Sequence, residues 1–333
     1  MREAAFVKRN QARWEKIEKD LYGRPTDPDR LAEIFIQLTD DLAFAQTQYP
    51  QSRVTAYLNN LASKVHHTLY RNRREDSRRF LTFWKNEVPH ELWHARKELL
   101  YAFLIFILSI AAGYVSTLHD DSFARLILGD NYVNMTLQNI REGKPMAVYS
   151  QADSGNMFIS ITFNNIRVAF IAFAMGLLFS AGTGYILFRN GVMVGAFLAF
   201  FRQEGLLGHA LPVIMLHGTI ELSSIVVAGA AGFVLGNGFL FPGTYPRLAS
   251  FRIHAVRGLK MVMSLVPLFV LAGFIESFIT RYEFMPATGK LLIIGLSACL
   301  ILFYFVWYPF QLSRNGKLYP HRISAGTRLQ PEA

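Results

Sequence analysis

The stretch Leu211–Gly236 reads LPVIMLHGTIELSSIVVAGAAGFVLG and carries His217 and Glu221 four residues apart. On a helix this spacing places an imidazole and a carboxylate on one face. Such a pair can hydrogen-bond, relay a proton or supply two ligands to a metal. The stretch is also apolar and long enough to cross a bilayer. An ionisable pair at that depth is costly, so it is by default a functional feature.

Several chemistries can be weighed at once. The sequence contains no HExxH, GxSxG or Walker A pattern. HGTIE offers a His and a Glu, whereas a catalytic zinc takes three protein ligands, and the nearest further candidate is His209. No metal and no cofactor are therefore assigned. Ser180, Ser223 and Ser224 have no local base that would make them nucleophiles. The chain is expected to be non-enzymatic, with any ATP used by a partner. Glycines such as Gly229, Gly232 and Gly236 lie in membrane-depth sequence and are read as helix-packing positions rather than a phosphate cradle.

The elements that must hold this pair follow from composition. Of 333 residues, 52% are hydrophobic and 17% charged, and the charge is concentrated before Leu99. This predicts an all-α polytopic membrane helix bundle of about six spans, one of them short or broken, behind an N-terminal cytoplasmic helical bundle. The net charge of +10 is attributed to cytoplasmic loops, not to nucleic-acid binding. The lone Cys299 forms no intrachain disulfide. Residues 1–75 carry three amphipathic stripes: Phe6, Trp14 and Ile17; Leu31, Phe35 and Leu38; Val54, Leu58 and Val65. Gly23 ends the first helix, and Asp27 is a candidate cap for the second. Residues 76–98 form a basic, aromatic helix at the membrane surface, and Arg73, Arg74, Arg78, Arg79, Trp84 and Trp93 meet lipid headgroups. His66, His67, His90 and His94 are read as solvated or interfacial.

The transmembrane region is expected at 99–312, with spans near 99–118, 166–188, 191–208, 209–236, 259–279 and 290–310, and a cytoplasmic tail at 313–333. Gly176, Ser180 and Gly184 recur every four residues in the second span, as small helix-packing positions. Gly191 and Gly195, with Gly232 and Gly236, could pack within the chain or against a second copy, making a homo-oligomer one expectation. Residues 1–97 hold 18 Lys/Arg, and Arg247, Arg252, Arg257, Arg314 and Lys317 follow later. The positive-inside rule puts these regions, and both termini, in the cytoplasm. Glu221 then lies roughly 22 Å from the inner end of its helix, in the outer half of the membrane. Asn164, Asn165 and Arg167 open the second span at similar depth, and Glu276 closes the fifth. This predicts one polar intramembrane site: Glu221 as central acceptor, Arg167 as its ion partner, and His217, Asn164, Asn165 and Glu276 in support.

At these residues the chain resembles the stage II sporulation protein M family. The blocks that carry the resemblance are NNIRVAFIAFAMGLLFSAGTGYILFRNGVMVGAF, HGTIELSSIVVAGAAGFVLG, FPGTYPR and AGFIESFIT, with Phe83, Trp84 and Pro89 before the first span. The family pattern falls on Asn164, Asn165, Arg167, Gly191, Gly195, His217, Gly218, Glu221, Gly229, Gly232, Pro242, Gly243 and Glu276. Ser180 stands where family members carry the first glycine of GxGT. The resemblance implies a multi-pass protein of the bacterial cytoplasmic (inner) membrane. It also implies a scaffold for envelope or cytoplasmic proteins, often encoded beside MoxR-type AAA+ ATPases and von Willebrand A-domain proteins. Two readings stay open: a scaffold, or a permease-like subunit in which Glu221 and His217 line a path.

Overall fold

The computed structural model describes residues 2–22, 28–70, 79–147, 153–280 and 285–316. Every regular element in them is helical, and the chain divides into two units, residues 1–79 and 80–333.

The first unit is built from α1 (Glu3–Tyr22), α2 (Pro28–Gln48) and α3 (Arg53–Tyr70). Their apolar stripes meet in one core that includes Phe6, Trp14, Ile17, Leu31, Leu38, Leu58, Leu61 and Val65. The Trp14 indole N–H donates to Asp41 at 2.8 Å, and Arg13 pairs with the same carboxylate. This unit thus has a complete core of its own. Gly23 and Asp27 lie outside the described residues.

The second unit begins with α4 (Arg79–Thr82), a π-turn (Phe83–Glu87) and α5 (Val88–His94). Trp84 and Trp93 are half-buried here, because this segment folds against residues 303–314 of the sixth span. The Tyr304 hydroxyl donates to the Trp84 carbonyl at 2.8 Å, the Tyr308 hydroxyl donates to the Lys85 carbonyl at 3.0 Å, and the Trp93 ring lies 6.0 Å from Phe310. Arg73, Arg74 and Arg78 lie outside the described residues, as does the side chain of Arg79.

Six helices are long and apolar enough to cross a membrane among the described residues: Arg96–His119, Ser154–Leu177, Ala181–Gln203, Leu207–Leu240, Arg247–Ile279 and Ala287–Arg314. In chain order the unit continues with α6 (Arg96–His119), then α7 (Asp121–Leu128) and α8 (Asp130–Arg141) as a short pair between the first two spans. There follow α9 (Ser154–Ala174), α10 (Ala181–Gln203), α11 (Leu207–Leu240), α12 (Arg247–Met263) and α13 (Val266–Phe274). The last are α14 (Ala287–Leu302) and α15 (Tyr308–Arg314). In α11, 78% of the apolar window is buried, against 22% in α6 and 17% in α9 and the last span. Helix α11 is therefore the axis, and the others surround it.

The second and third spans correct the expected 166–188 and 191–208. Asp153 caps the second span by accepting from the Asn156 N–H at 3.0 Å, so this helix starts twelve residues early. It ends at a turn in which Phe179 and Ser180 take the left-handed conformation at φ 53° and 65°. Left-handed backbone normally falls on glycine or asparagine, and here it falls on an apolar, charge-free run that reads as mid-membrane helix. The third span is consequently the continuous α10, neither short nor broken. An interruption falls instead at Ser264–Leu265, between α12 and α13, where Pro267 cannot donate to the ladder.

Close helix approach is seen at two crossings that the sequence's small residues mark, α6 with α10 and α11 with α9 and the turn after it. A methyl built on Gly195 would overlap the Ile110 carbonyl of α6, and one on Gly232 would overlap Thr183 and the Ala172 carbonyl. Gly191 faces Ser109 and Phe106 at the first crossing, while Gly176, Gly229, Gly236 and Ser180 line the second. Gly184 is a correction: nothing lies within 4 Å of its would-be side chain. The turn at Phe179–Ser180 puts Gly176 and Gly184 on different helices, so they do not share a face. We expect Gly195→Ala to lower the thermal stability of the detergent-solubilised protein by about 1–3 kcal/mol through overpacking. Gly184→Ala should be neutral or slightly stabilising in the same assay.

One end of the bundle is also tied by charge. Arg257 Nε donates to Glu91 at 2.9 Å, with both side chains nearly out of solvent, and Lys260 pairs with Glu87 at 2.8 Å. Replacing Arg257 with Ala should cost about 3–5 kcal/mol, because it strands the Glu91 charge. The loss should sit at the low end, since Lys260 remains 4.0 Å from the other carboxylate oxygen. Chemical unfolding in detergent measures it.

Candidate functional site

Helix α11 stacks His217 and Glu221 one turn apart, as their spacing requires. His217 is 5% exposed. Asn165, half-buried on α9, donates its amide N–H to the Glu221 Oε1 oxygen. Glu276 comes from the π-turn Ile275–Ile279 that extends α13. Its Oε1 lies 3.8 Å from His217 Nε2. One ligand atom each from His217, Glu221 and Glu276 can be chosen so that all lie within 4.8 Å of one another.

The far side of the imidazole is also defined. His217 Nδ1 lies 3.4 Å from Thr280 Oγ1, and that hydroxyl is 3.1 Å from the Ile275 carbonyl. A threonine hydroxyl has one proton. When it donates to the carbonyl, it can only accept from Nδ1–H, which leaves the Nε2 lone pair directed toward Glu276. Around this cluster stands an apolar shell of Leu216, Ile220, Ala272 and Ile275, packed with Leu268, Ile279, Ile293 and Ile294.

Four of the six residues expected at the polar site are therefore together: His217, Glu221, Asn165 and Glu276. Arg167 and Asn164 are exposed on α9 and face elsewhere, and no ion pair joins Arg167 to Glu221. Each helical residue advances about 100°, so Asn164 and Arg167 point about 100° and 200° away from Asn165. The sequence expectation matched depth and ignored face. Depth changes too: Asn165 is the twelfth of the 24 residues in Ser154–Leu177, so it lies near mid-span instead of opening it. His209 is exposed at the start of α11. Ser223 donates to the Thr219 carbonyl at 2.7 Å.

A protein-family model described as Stage II sporulation protein M matches residues 102–281. The chain belongs to this family. The matched region runs from α6 through the π-turn after α13 and contains the whole polar cluster. The sixth span lies beyond the matched residues, packs on α11 and contributes Ile293 and Ile294 to the shell. A second family model, a domain of unknown function (DUF8413), matches residues 4–71 and coincides with the α1–α3 unit. Comparison with curated proteins found no match, and comparison with solved structures found none.

Sequence reasoning missed Thr280, the partner of His217. Its signal was the i,i+4 spacing from Glu276, one helical turn on. It also missed the buried hydroxyls of Thr162, Ser224 and Ser277, which accompany the cluster residues at distances of one to three positions in sequence. Two variants on α9 separate the two faces. Asn165→Ala removes the donor to Glu221 and should destabilise the bundle by about 1–3 kcal/mol. Arg167→Ala should stay within about 0.5 kcal/mol of wild type in thermal unfolding.

Proposed function

We propose that this member of the stage II sporulation protein M family is a non-enzymatic membrane anchor, which holds partner proteins of an envelope-associated complex at the bacterial cytoplasmic membrane. The observation that carries this reading is the division of labour along the chain. A three-helix unit with its own core precedes a membrane bundle closed by backbone-to-backbone crossings. The basic segments favour a cytoplasmic location for both termini. The α1–α3 unit is then the docking surface for a soluble partner, and an AAA+ ATPase of the MoxR type is the class the family resemblance suggests. The glycine faces of Gly191, Gly195, Gly232 and Gly236 are used within the chain, so a second copy would need another surface.

The second reading is a permease-like subunit. It is favoured by a buried His/Glu/Glu cluster whose carboxylates form no ion pair with an arginine among the described residues, and by the Ser264–Leu265 interruption in the span that carries Glu276. Interrupted helices often form substrate or ion sites at membrane depth.

The two readings diverge on residues 1–79 and on Glu221. In the anchor reading, deleting residues 1–79 leaves a membrane unit that inserts and unfolds at the wild-type temperature but shrinks the native complex on blue native gels. Glu221→Gln then keeps the complex intact and rescues a deletion strain. A folded, assembled Glu221→Gln protein that fails to rescue would overturn the anchor reading in favour of the permease.

A further inference from the structure

The cluster at the junction of α9, α11 and α13 combines three features. First, it places two carboxylates and an imidazole on facing helices, with their ligand atoms within 4.8 Å. Among the described residues no lysine or arginine forms an ion pair with either carboxylate. Two carboxylates enclosed by apolar side chains repel unless one holds a proton or a cation lies between them. Second, Thr280 Oγ1 lies 3.4 Å from His217 Nδ1, an oxygen that can take the Nδ1–H proton and so leave Nε2 for the carboxylate side. A metal-bound histidine is held in this way, with Nδ1–H given to a fixed oxygen and Nε2 given to the metal. Third, buried hydroxyls without a hydrogen-bond partner among the described residues stand one to three positions in sequence from Asn165, Glu221 and Glu276. Of the five buried side-chain polar atoms without a partner among the described residues, three are the hydroxyls of Thr162, Ser224 and Ser277. Thr162 precedes Asn165 by three residues on α9 and is 7% exposed; it abuts Gly273, three residues before Glu276. Ser224, fully buried, follows Glu221 by three residues on α11. Buried hydroxyls ordinarily bond to something, and a hydrated ion is a partner that would serve several at once.

We propose that His217 Nε2 and the carboxylates of Glu221 and Glu276 bind one divalent transition-metal cation of the zinc or manganese class. Asn165 and Thr280 are positioning residues for Glu221 and His217. The imidazole selects against magnesium and calcium, which favour all-oxygen sites. Ligands about 2.1 Å from a cation stand roughly 3–4 Å from one another, so closing the trio takes side-chain shifts on the order of 1 Å. His217 Nε2 lies 3.8 Å from Glu276 Oε1. A cation engages all three groups and leaves positions for water. It would pin α11 to α13, and through Asn165 to α9. This inference stands apart from the anchoring role: complex size reads the one and bound metal reads the other, so either can fail alone.

The experiment uses the full chain in detergent, stripped with EDTA and titrated with Zn²⁺, or with Co²⁺ as a coloured probe. Elemental mass spectrometry counts bound metal, and thermal unfolding reads stabilisation. Wild type should bind one equivalent of Zn²⁺ with a saturable rise in Tm. Its Co²⁺ absorption should be displaced by Zn²⁺ and not by Mg²⁺. Glu276→Gln and His217→Ala should weaken Zn²⁺ binding by at least about tenfold and lose the Tm response. In metal-free buffer Glu276→Gln should unfold no earlier than wild type, because it removes the carboxylate repulsion. Should that variant fail to fold, Glu221→Gln reads the same site. A double substitution of His90 and His94, whose rings lie 4.3 Å apart outside the cluster, should leave binding unchanged. The proposal is overturned if EDTA and Zn²⁺ leave wild-type Tm and metal content unchanged. It is overturned equally if the cluster variants bind as wild type does, or if the His90/His94 variant alone loses the ion.

Discussion

A carboxylate facing lipid at membrane depth costs several kcal/mol, so a helix that carries Glu221 near its middle must be enclosed by other helices. That constraint organises the membrane unit. Helix α11 is enclosed on nearly every side, and the polar side chains that replace water around Glu221 come from the neighbours that enclose it. Asn165 reaches in from α9 and Glu276 from the end of α13, while the shell from α14 seals the side that would otherwise meet lipid. Enclosure at this closeness also demands small residues. Where α11 meets α9 and the turn after it, Gly232 lets backbone approach backbone, and Gly195 does the same for α10 against α6. Polar enclosure and glycine crossings are thus two sides of one packing problem.

The two units divide the sequence's information differently. In α1–α3 the apolar stripes are short, regular and bounded, so Trp14, Leu38 and Leu58 are identifiable as core from spacing alone. Membrane helices lack that contrast, because apolar side chains face both lipid and protein. Leu100 and Phe103 are exposed to the bilayer side of α6 while Ala102 and Phe106 of the same run are buried. Charge-free length gives the number of spans, and packing detail has to come from small and polar residues.

Those residues explain what was legible and what was not. Six spans and the His217/Glu221 face are readable because charge interrupts the apolar runs and because i,i+4 spacing fixes a face. The second span was misplaced because its start depends on a single cap, Asp153, and its end on a turn made of leucine, phenylalanine and serine. Glycine, proline and charge, the usual marks of a turn, are all missing at Leu178–Ser180. Arg167 was drawn to Glu221 by opposite charge at similar depth. Helical phase sends it outward, and the short neutral Asn165 takes the inward position. Opposite charge is a poor guide when two residues on one helix differ by 200° in direction. Glu276 was found by depth, and its usefulness depends on a backbone irregularity that no composition announces.

That irregularity has a recurring logic. A π-turn inserts a residue and loosens the carbonyl ladder, so oxygens that an α-helix would use internally become open to outside donors. At Phe83–Glu87 the carbonyls of Trp84 and Lys85 accept the hydroxyls of Tyr304 and Tyr308, and this fastens the segment before the first span to the last one. At Ile275–Ile279 the Ile275 carbonyl accepts both the N–H and the hydroxyl of Thr280, at 2.8 and 3.1 Å. The hydroxyl, with its proton committed, presents a lone pair to His217 Nδ1. The order of causes therefore runs from a backbone defect to the position of the Thr280 hydroxyl, and from that hydroxyl to an oxygen beside His217 Nδ1, with Nε2 on the Glu276 side. A regular α-helix through residues 275–279 would send the Thr280 N–H to Glu276 instead, and the imidazole would lose the oxygen that decides which of its nitrogens faces the carboxylates.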